Sequence, residues 1–65
     1  MKKIILTHLK QQETYVLNMR DRLVKRGLPQ TNATLQYERA KMIGMIDIAK
    51  SVGIDTTEFN WIYNI

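Results

Sequence analysis

This 65-residue chain contains no cysteine, one histidine and three glycines, and each shortage excludes a class of structure or function. Without cysteine there is no disulfide and no thiolate metal site. The single imidazole, His8, cannot form a metal site alone, so no metal and no cofactor are expected. The glycines, Gly27, Gly44 and Gly53, stand apart from one another, which excludes a glycine-rich phosphate loop.

Long apolar runs are also missing. Residues 1–3 make a basic start, but the apolar run at residues 4–6 is shorter than the ~7–15 residues of a secretory signal. Nothing approaches the ~18 apolar residues of a membrane span. The sequence therefore predicts a cytoplasmic protein that does not enter the membrane. Its length allows a single small helical domain over residues 1–65.

A domain of this size has limited means of stabilising itself. Chains this short bury only about 60% of the surface that is exposed when they are unfolded. With no disulfide and no metal, self-association or docking on a partner is the remaining way to strengthen the core.

The formal charge of +4 is carried by the first half of the chain. Residues 1–28 hold seven Lys or Arg against two acidic residues, a balance of +5, whereas residues 29–65 hold three against four, a balance of −1. This asymmetry indicates an anionic partner. A small basic nucleic-acid-binding accessory or regulatory protein is therefore the alternative function, with contacts at Lys3, Lys10, Arg22, Lys25 and Arg26. A solvated basic face that complements the dipole of the first helix is the competing interpretation.

Residues 1–26 predict a long amphipathic helix of roughly 25 residues and ~37 Å. Its apolar positions follow heptad a/d spacing, with Gln12 as the one polar gap. A short strand over Lys2 to Leu6 is the alternative for its start. Gly27 suits the left-handed position that ends a helix, and Pro29 cannot continue one. The a/d positions are Ile5, Leu9, Val16, Met19 and Leu23.

Residues 35–52 predict a second helix that is apolar around most of its circumference. A helix of this kind is normally buried on more than one side. The connection runs from Gln30 to Asn32, with Asn32 favoured over Thr31 as the N-cap. Because the loop is short, the two helices form an antiparallel hairpin.

Counting back from the loop sets the expected register of the hairpin. Gln12 lies near Ile46, and Leu9 lies near Ala49. On the second helix, Ala40 and Gly44 form a small groove where another backbone could approach closely.

The last segment predicts a short helix over Thr56 to Asn64. Gly53 ends the second helix, and Asp55 with Glu58 has capping-box spacing. We expect this helix to close the core at the open end of the hairpin, near Ile4, Ile5 and Leu9. The fold class is thus all-α: an antiparallel helical hairpin of two long helices plus a short C-terminal helix, completed by oligomerisation or by a partner.

Candidate catalytic groups are sparse. His8 has no nucleophile motif and no second histidine, so a semi-buried structural role is expected. Glu13 and Glu38 could pair as carboxylates, but an ion-pair network with Arg20 that fixes the helix register is the favoured interpretation. The sequence predicts neither an enzyme nor a small-molecule substrate.

The leading functional hypothesis is a small non-enzymatic helical protein–protein interaction module, an adaptor or inhibitor-like accessory protein. The partner is a second copy, giving a homo-oligomer, or a larger protein. Its basis is that the second helix has more apolar sides than the rest of the chain can cover. The bias toward Ile, Lys and Asn is typical of an AT-rich bacterial or phage genome and suggests a mobile-element origin. The candidate interface comprises Tyr37, Ile43, Met45, Ile48, Trp61 and Tyr63.

Overall fold

The computed structural model describes residues 1–29 and 31–65. Helix α1 spans Lys2–Lys25, helix α2 spans Ala33–Ser51, and a C-terminal 3₁₀ helix spans Thr57–Asn64. The two long helices pack against each other as a hairpin, and the 3₁₀ helix packs on α2. The all-α prediction is confirmed, and the strand alternative at Lys2 to Leu6 is wrong because that stretch begins α1. Neither α1 nor α2, as far as the structure describes them, is long and apolar enough to cross a membrane.

The end of α1 is closed by a turn that requires a left-handed residue. Gly27 takes φ of +67°. Its N–H donates to the Val24 carbonyl at 3.0 Å, and the Leu28 N–H donates to the Leu23 carbonyl at 2.9 Å. This pair of bonds is a Schellman motif, which satisfies carbonyls that a helix end leaves open. The predicted stop at Gly27 is confirmed.

The end of α2 repeats the arrangement with Gly53 at φ +84°. The Ile54 N–H donates to the Ala49 carbonyl at 3.0 Å. At the start of α2, Asn32 Oδ1 accepts from the N–H groups of Thr34 and Leu35 at 3.0 and 3.3 Å. Asn32 is therefore the N-cap, as predicted. Gln30, which belongs to the predicted connection, lies outside the described residues.

The core runs along the seam between the helices and under the 3₁₀ helix. Three of the five predicted a/d positions of α1 are buried, and Met19 and Ile5 are half-buried and pack against the core. Burial of such side chains supplies most of the driving force for folding, at about 25 cal/mol per Å² of apolar surface. The buried apolar residues are Leu9, Val16, Leu23, Leu35, Met42, Ile46, Ala49, Phe59 and Ile62.

Gln12 fixes a helix register that differs from the expected one. Its Nε2 donates to the backbone carbonyl of Glu38 at 3.1 Å and to the Glu38 carboxylate at 2.9 Å. Gln12 is thus opposite the turn after Glu38 instead of beside Ile46. A buried amide must find hydrogen-bond acceptors, and Glu38 offers two of them. Counting residues from the loop could not include this requirement.

The predicted short C-terminal helix is confirmed and is a 3₁₀ helix, but the predicted capping box is not formed, because no side chain caps its start. Asp55 instead closes a local turn: its Oδ1 accepts from the Thr57 N–H at 3.0 Å and from the Thr57 hydroxyl at 2.8 Å. With three residues per turn, Thr56, Phe59, Ile62 and Ile65 share one edge. The first three are buried, and Ile65 packs against the core.

The position of the 3₁₀ helix also differs from the expected lid at the open end. Its second half reaches Glu13 on α1 and Arg39 on α2, both well inside the hairpin. Ile4, which it was expected to cover, remains 63% exposed. The short helix therefore runs along one face of the hairpin and leaves the open end uncovered near Ile4.

Candidate protein interface

One face of the hairpin, here called the covered face, is occupied by the 3₁₀ helix. Trp61 Nε1 donates to the Glu13 carboxylate at 2.8 Å. The guanidinium of Arg20 lies 5.4 Å from the centre of the same indole ring, within the range of a cation–π contact. Glu13 and Arg20 are seven residues apart on α1, so they bracket the indole on a single side of that helix.

The other edge of the 3₁₀ helix is held by α2. Arg39 donates from Nε to the Ile62 carbonyl at 2.9 Å and from Nη2 to the Tyr63 carbonyl at 3.4 Å. Lys50 Nζ lies 5.9 Å from the centre of the Tyr63 ring. The covered face therefore uses Arg20 and Arg39, both half-buried, for internal contacts, and exposed Lys50 lies beside Tyr63.

The predicted ion-pair network of Glu13, Arg20 and Glu38 is not formed. Trp61 lies between Glu13 and Arg20, and Glu38 accepts from the neutral amide of Gln12. Across residues 1–29 and 31–65, the ion pair that the structure shows joins Lys25 to Asp21 at 3.1 Å. Both glutamates therefore accept hydrogen bonds from neutral donors, Glu13 from an indole and Glu38 from an amide, and form no ion pair with Arg20.

The opposite face of the hairpin, here called the open face, is not covered by the 3₁₀ helix. On α1, Ile4, His8, Tyr15 and Arg22 recur at intervals of four, seven and seven residues, so they form one stripe. On α2, Thr34, Lys41 and Ile48 recur every seven residues and form the facing stripe. The open face consists of Ile4, Ile5, His8, Tyr15, Met19, Arg22 and Arg26 on α1, and of Thr34, Tyr37, Lys41, Met45 and Ile48 on α2.

The half of the open face that is farther from the loop is apolar. A groove of about 170 Å³ is lined by Ile5, His8, Met45 and Ile48. A neighbouring depression of about 290 Å³ is lined by Lys3, Ile4, Thr7 and His8. Because His8 belongs to both, the two depressions form one continuous surface at the end of the hairpin opposite the loop.

The half of the open face that is nearer the loop is basic and polar. A groove of about 180 Å³ near the loop is lined by Met19, Leu23 and four polar residues. Tyr15 and Tyr37 are exposed between this groove and the apolar half. The polar residues are Arg22, Arg26, Asn32 and Thr34.

The predicted interface residues divide between the two faces. Tyr37 and Ile48, at 68% and 58% exposed, lie on the open face together with half-buried Met45. Ile43 and Trp61, like Met45, are half-buried and pack against the core. The predicted six residues therefore do not form one surface, because the 3₁₀ helix takes Trp61 inward and Tyr63, although exposed, lies beside Lys50.

Sequence reasoning missed the contribution of α1 to this surface. Ile4 and Tyr15 are exposed, and His8 is exposed at the groove instead of semi-buried as expected. The signal was the interval from Ile4 to His8 and from His8 to Tyr15, which places an apolar and aromatic stripe beside the a/d positions.

The predicted nucleic-acid contacts are spread around α1. Lys3 and Lys10, seven residues apart, share the outer side of the helix, and Lys25 is paired with Asp21. Arg22 and Arg26 line the groove near the loop. Lys3 and Lys25 are about 33 Å apart along the axis at 1.5 Å per residue, so the structure does not gather these five side chains into one site.

The small groove expected at Ala40 and Gly44 faces solvent. Both residues are exposed, and a Cβ added to Gly44 would have no atom within 4 Å. No part of the described chain packs closely there. Asp47 shares this outer side of α2 with them.

No protein-family model, curated protein or solved structure matches this chain. Within residues 1–29 and 31–65, no three His, Asp or Glu side chains are grouped in a way that could hold a metal ion.

Proposed function

We propose that this protein is a small non-enzymatic helical module that binds another protein through its open face. One observation carries the proposal: Ile4 and Ile48 stand exposed beside a groove lined by Ile5 and Met45, while the opposite face is covered by the chain's own 3₁₀ helix. Contiguous exposed apolar surface is characteristic of interaction sites.

Two further features support binding at this face. Tyr15 and Tyr37 are exposed on it, and tyrosine is enriched among residues that dominate binding energy. The face is also built on two helices that are fixed by Gln12 and Glu38 across the seam. Side chains on packed helices keep their positions better than those on loops, which lowers the entropy lost on binding.

The partner in this proposal is another protein, or a second copy of the chain. The role is that of an adaptor or an inhibitor in the cytoplasm, and the composition supports an origin in a phage or mobile element. These parts of the proposal rest on the sequence expectations.

The test compares two substitutions that are matched in exposure. Ile48 is 58% exposed on the open face, and Val24 is 59% exposed elsewhere on α1. Tagged wild-type protein, Ile48→Lys and Val24→Lys are used to capture proteins from a lysate of the native host. We expect Ile48→Lys to lose the specific partner and Val24→Lys to retain it. Equal capture by both variants, or no specific capture by the wild type, contradicts the proposal.

Nucleic-acid binding is the second candidate, and the groove near the loop favours it. Arg22 and Arg26 lie one turn apart with Asn32 and Thr34 opposite, and two arginines in one groove suit phosphate oxygens. The test is binding of a labelled duplex and a labelled single strand at low and moderate salt. Affinity that falls steeply with salt and is lost in Arg26→Glu would support this candidate.

A further inference from the structure

The charges of the open face are predominantly of one sign. Arg22, Arg26 and Lys41 lie on it. Glu38 borders it on α2, and the carboxylate of Glu38 already accepts a hydrogen bond from Gln12. The other carboxylates of the two long helices lie elsewhere, because Glu13 contacts Trp61, Asp21 pairs with Lys25, and Asp47 lies on the outer side of α2.

The cations are also segregated along the length of this face. Arg22 and Arg26 lie near the loop, whereas the groove lined by Ile5, Met45 and Ile48 lies at the opposite end. Lys41 is two turns of α2 before Ile48, between the two regions. Lys3 lines the depression beyond that groove. From the groove to the loop, the surface thus runs from apolar to basic along the hairpin axis.

We propose that the open face binds an amphipathic α-helix of another protein that is apolar at one end and acidic at the other. This inference deepens the proposed function and rests on it. Apolar side chains of the incoming helix occupy the groove at Ile5 and Met45. Its acidic side chains lie against Arg22, Arg26 and Lys41.

The dimensions of the face suit a helix. From Ile4 to Arg22 the stripe on α1 is about 27 Å long, which equals roughly 18 helical residues or five turns. The seam between two antiparallel helices is a groove in which an amphipathic helix can lay apolar side chains spaced by three, four and seven residues.

Charge complementarity selects a different protein over a second copy of this chain. Each copy carries a net charge of +4 and the same three cations on its open face. Two such faces repel each other, whereas an acidic partner is attracted and oriented by the same field.

The test uses three 21-residue helical peptides as probes. All three carry Leu at the same positions, spaced by three, four and seven residues over one end. They differ only at four positions facing the cations at the other end, which are Glu, Gln or Lys. Each labelled peptide is titrated with the whole protein at low salt and followed by fluorescence anisotropy. We expect the Glu peptide to bind about tenfold more tightly than the Gln peptide and the Lys peptide to bind least.

Two variants of equal net charge test whether the acidic end of the peptide contacts the open face. Arg22→Glu changes the open face, whereas Lys10→Glu makes the same charge change on the outer side of α1. Arg22→Glu should weaken binding of the Glu peptide by about tenfold, whereas Lys10→Glu should change it by less than about threefold. Circular dichroism confirms that both variants remain helical.

Several results would overturn the proposal. Equal binding of the three peptides would contradict the proposal that the partner helix is acidic, but it would be consistent with an apolar interaction face. A sedimentation mass of two chains at tens of micromolar would assign the face to a second copy. Tighter binding of a single-stranded oligonucleotide than of the Glu peptide would assign it to nucleic acid. Absence of any peptide binding, with lysate capture unaffected by Ile48→Lys, would contradict the proposed function as well.

Discussion

The indole nitrogen of Trp61 lies 2.8 Å from a carboxylate oxygen of Glu13, 48 residues earlier in the chain. This bond joins the C-terminal 3₁₀ helix to α1, whereas Arg39 joins it to α2. The short helix is thereby fastened to both long helices on one face. Its attachment there is the reason that this segment does not cover the opposite face.

Replacing Trp61 with Phe should destabilise the protein by about 1–2 kcal/mol. The change removes a hydrogen bond to a charged acceptor and weakens the cation–π contact with Arg20. The measurement is urea unfolding followed by circular dichroism. Glu13→Gln, which keeps an acceptor, should cost less. Tyr63→Phe, which keeps the ring beside Lys50, is the control and should change stability by less than about 0.5 kcal/mol. A Trp61→Phe variant as stable as the wild type would show that the bond does not hold the helix.

The same substitution should have opposite effects at two glycines. A Cβ added at Gly27 or Gly44 would meet no atom within 4 Å. Gly27 has φ of +67°, where an L-residue with a Cβ is strained, so Gly27→Ala should cost about 1 kcal/mol. Gly44 lies inside α2, so Gly44→Ala should stabilise the protein by about 1 kcal/mol. Thermal unfolding of both variants shows whether each substitution raises or lowers the stability of the protein. Destabilisation by Gly44→Ala would indicate that another chain packs against that position.

Gln12→Glu should destabilise the hairpin by about 2 kcal/mol or more. The introduced carboxylate would take a buried position next to the Glu38 carboxylate, which now accepts from Gln12 at 2.9 Å. Gln11→Glu adds the same charge at an exposed neighbouring position and is the matched control. Adding Glu38→Gln to the Gln12→Glu variant should restore most of the loss. Equal stability of the variants at positions 11 and 12 would contradict the register described above.

Protonation of Asp55 should loosen the start of the 3₁₀ helix. The Thr57 backbone N–H, followed by its hydroxyl, lowers the pKa of Asp55 below the usual 3.8. A lowered pKa means that the ionised form is favoured by folding. Its contribution is therefore present above pH 3.8 and is lost as the pH falls through the folded-state pKa. An NMR titration of the Asp55 carboxyl checks the direction. Thr57→Val should move this pKa part of the way back, and an Asp55 pKa at or above 3.8 in the wild type would contradict the turn.

Local chemistry made the helices and their ends predictable. The a/d spacing from Leu9 to Leu23 specifies a buried stripe whatever lies opposite. Gly27 and Gly53 end helices because they can take positive φ, and Asn32 begins one because its side chain reaches N–H groups two and three residues on. Each of these features depends on residues within one turn of one another, so the sequence alone is sufficient to predict where each helix begins and ends.

The register and the third helix depended on distant residues. Gln12 needed acceptors that only α2 could supply, and this requirement shifted the pairing away from Ile46 toward Glu38. The interval of three among Thr56, Phe59 and Ile62 was visible as a 3₁₀ signal, but the capping spacing of Asp55 and Glu58 suggested an α-helix instead.

By itself, the sequence determined two amphipathic helices, the turn between them and a surplus of apolar side chains on the second. Only the tertiary structure decided which side of the hairpin received Trp61 and Phe59, because that choice depends on where Glu13, Arg20 and Arg39 come together from two helices. Burying one face left the other, with Ile4, Tyr37 and Ile48, exposed to solvent. The candidate interface is therefore a consequence of packing between distant segments, which residue patterns within one helix cannot specify.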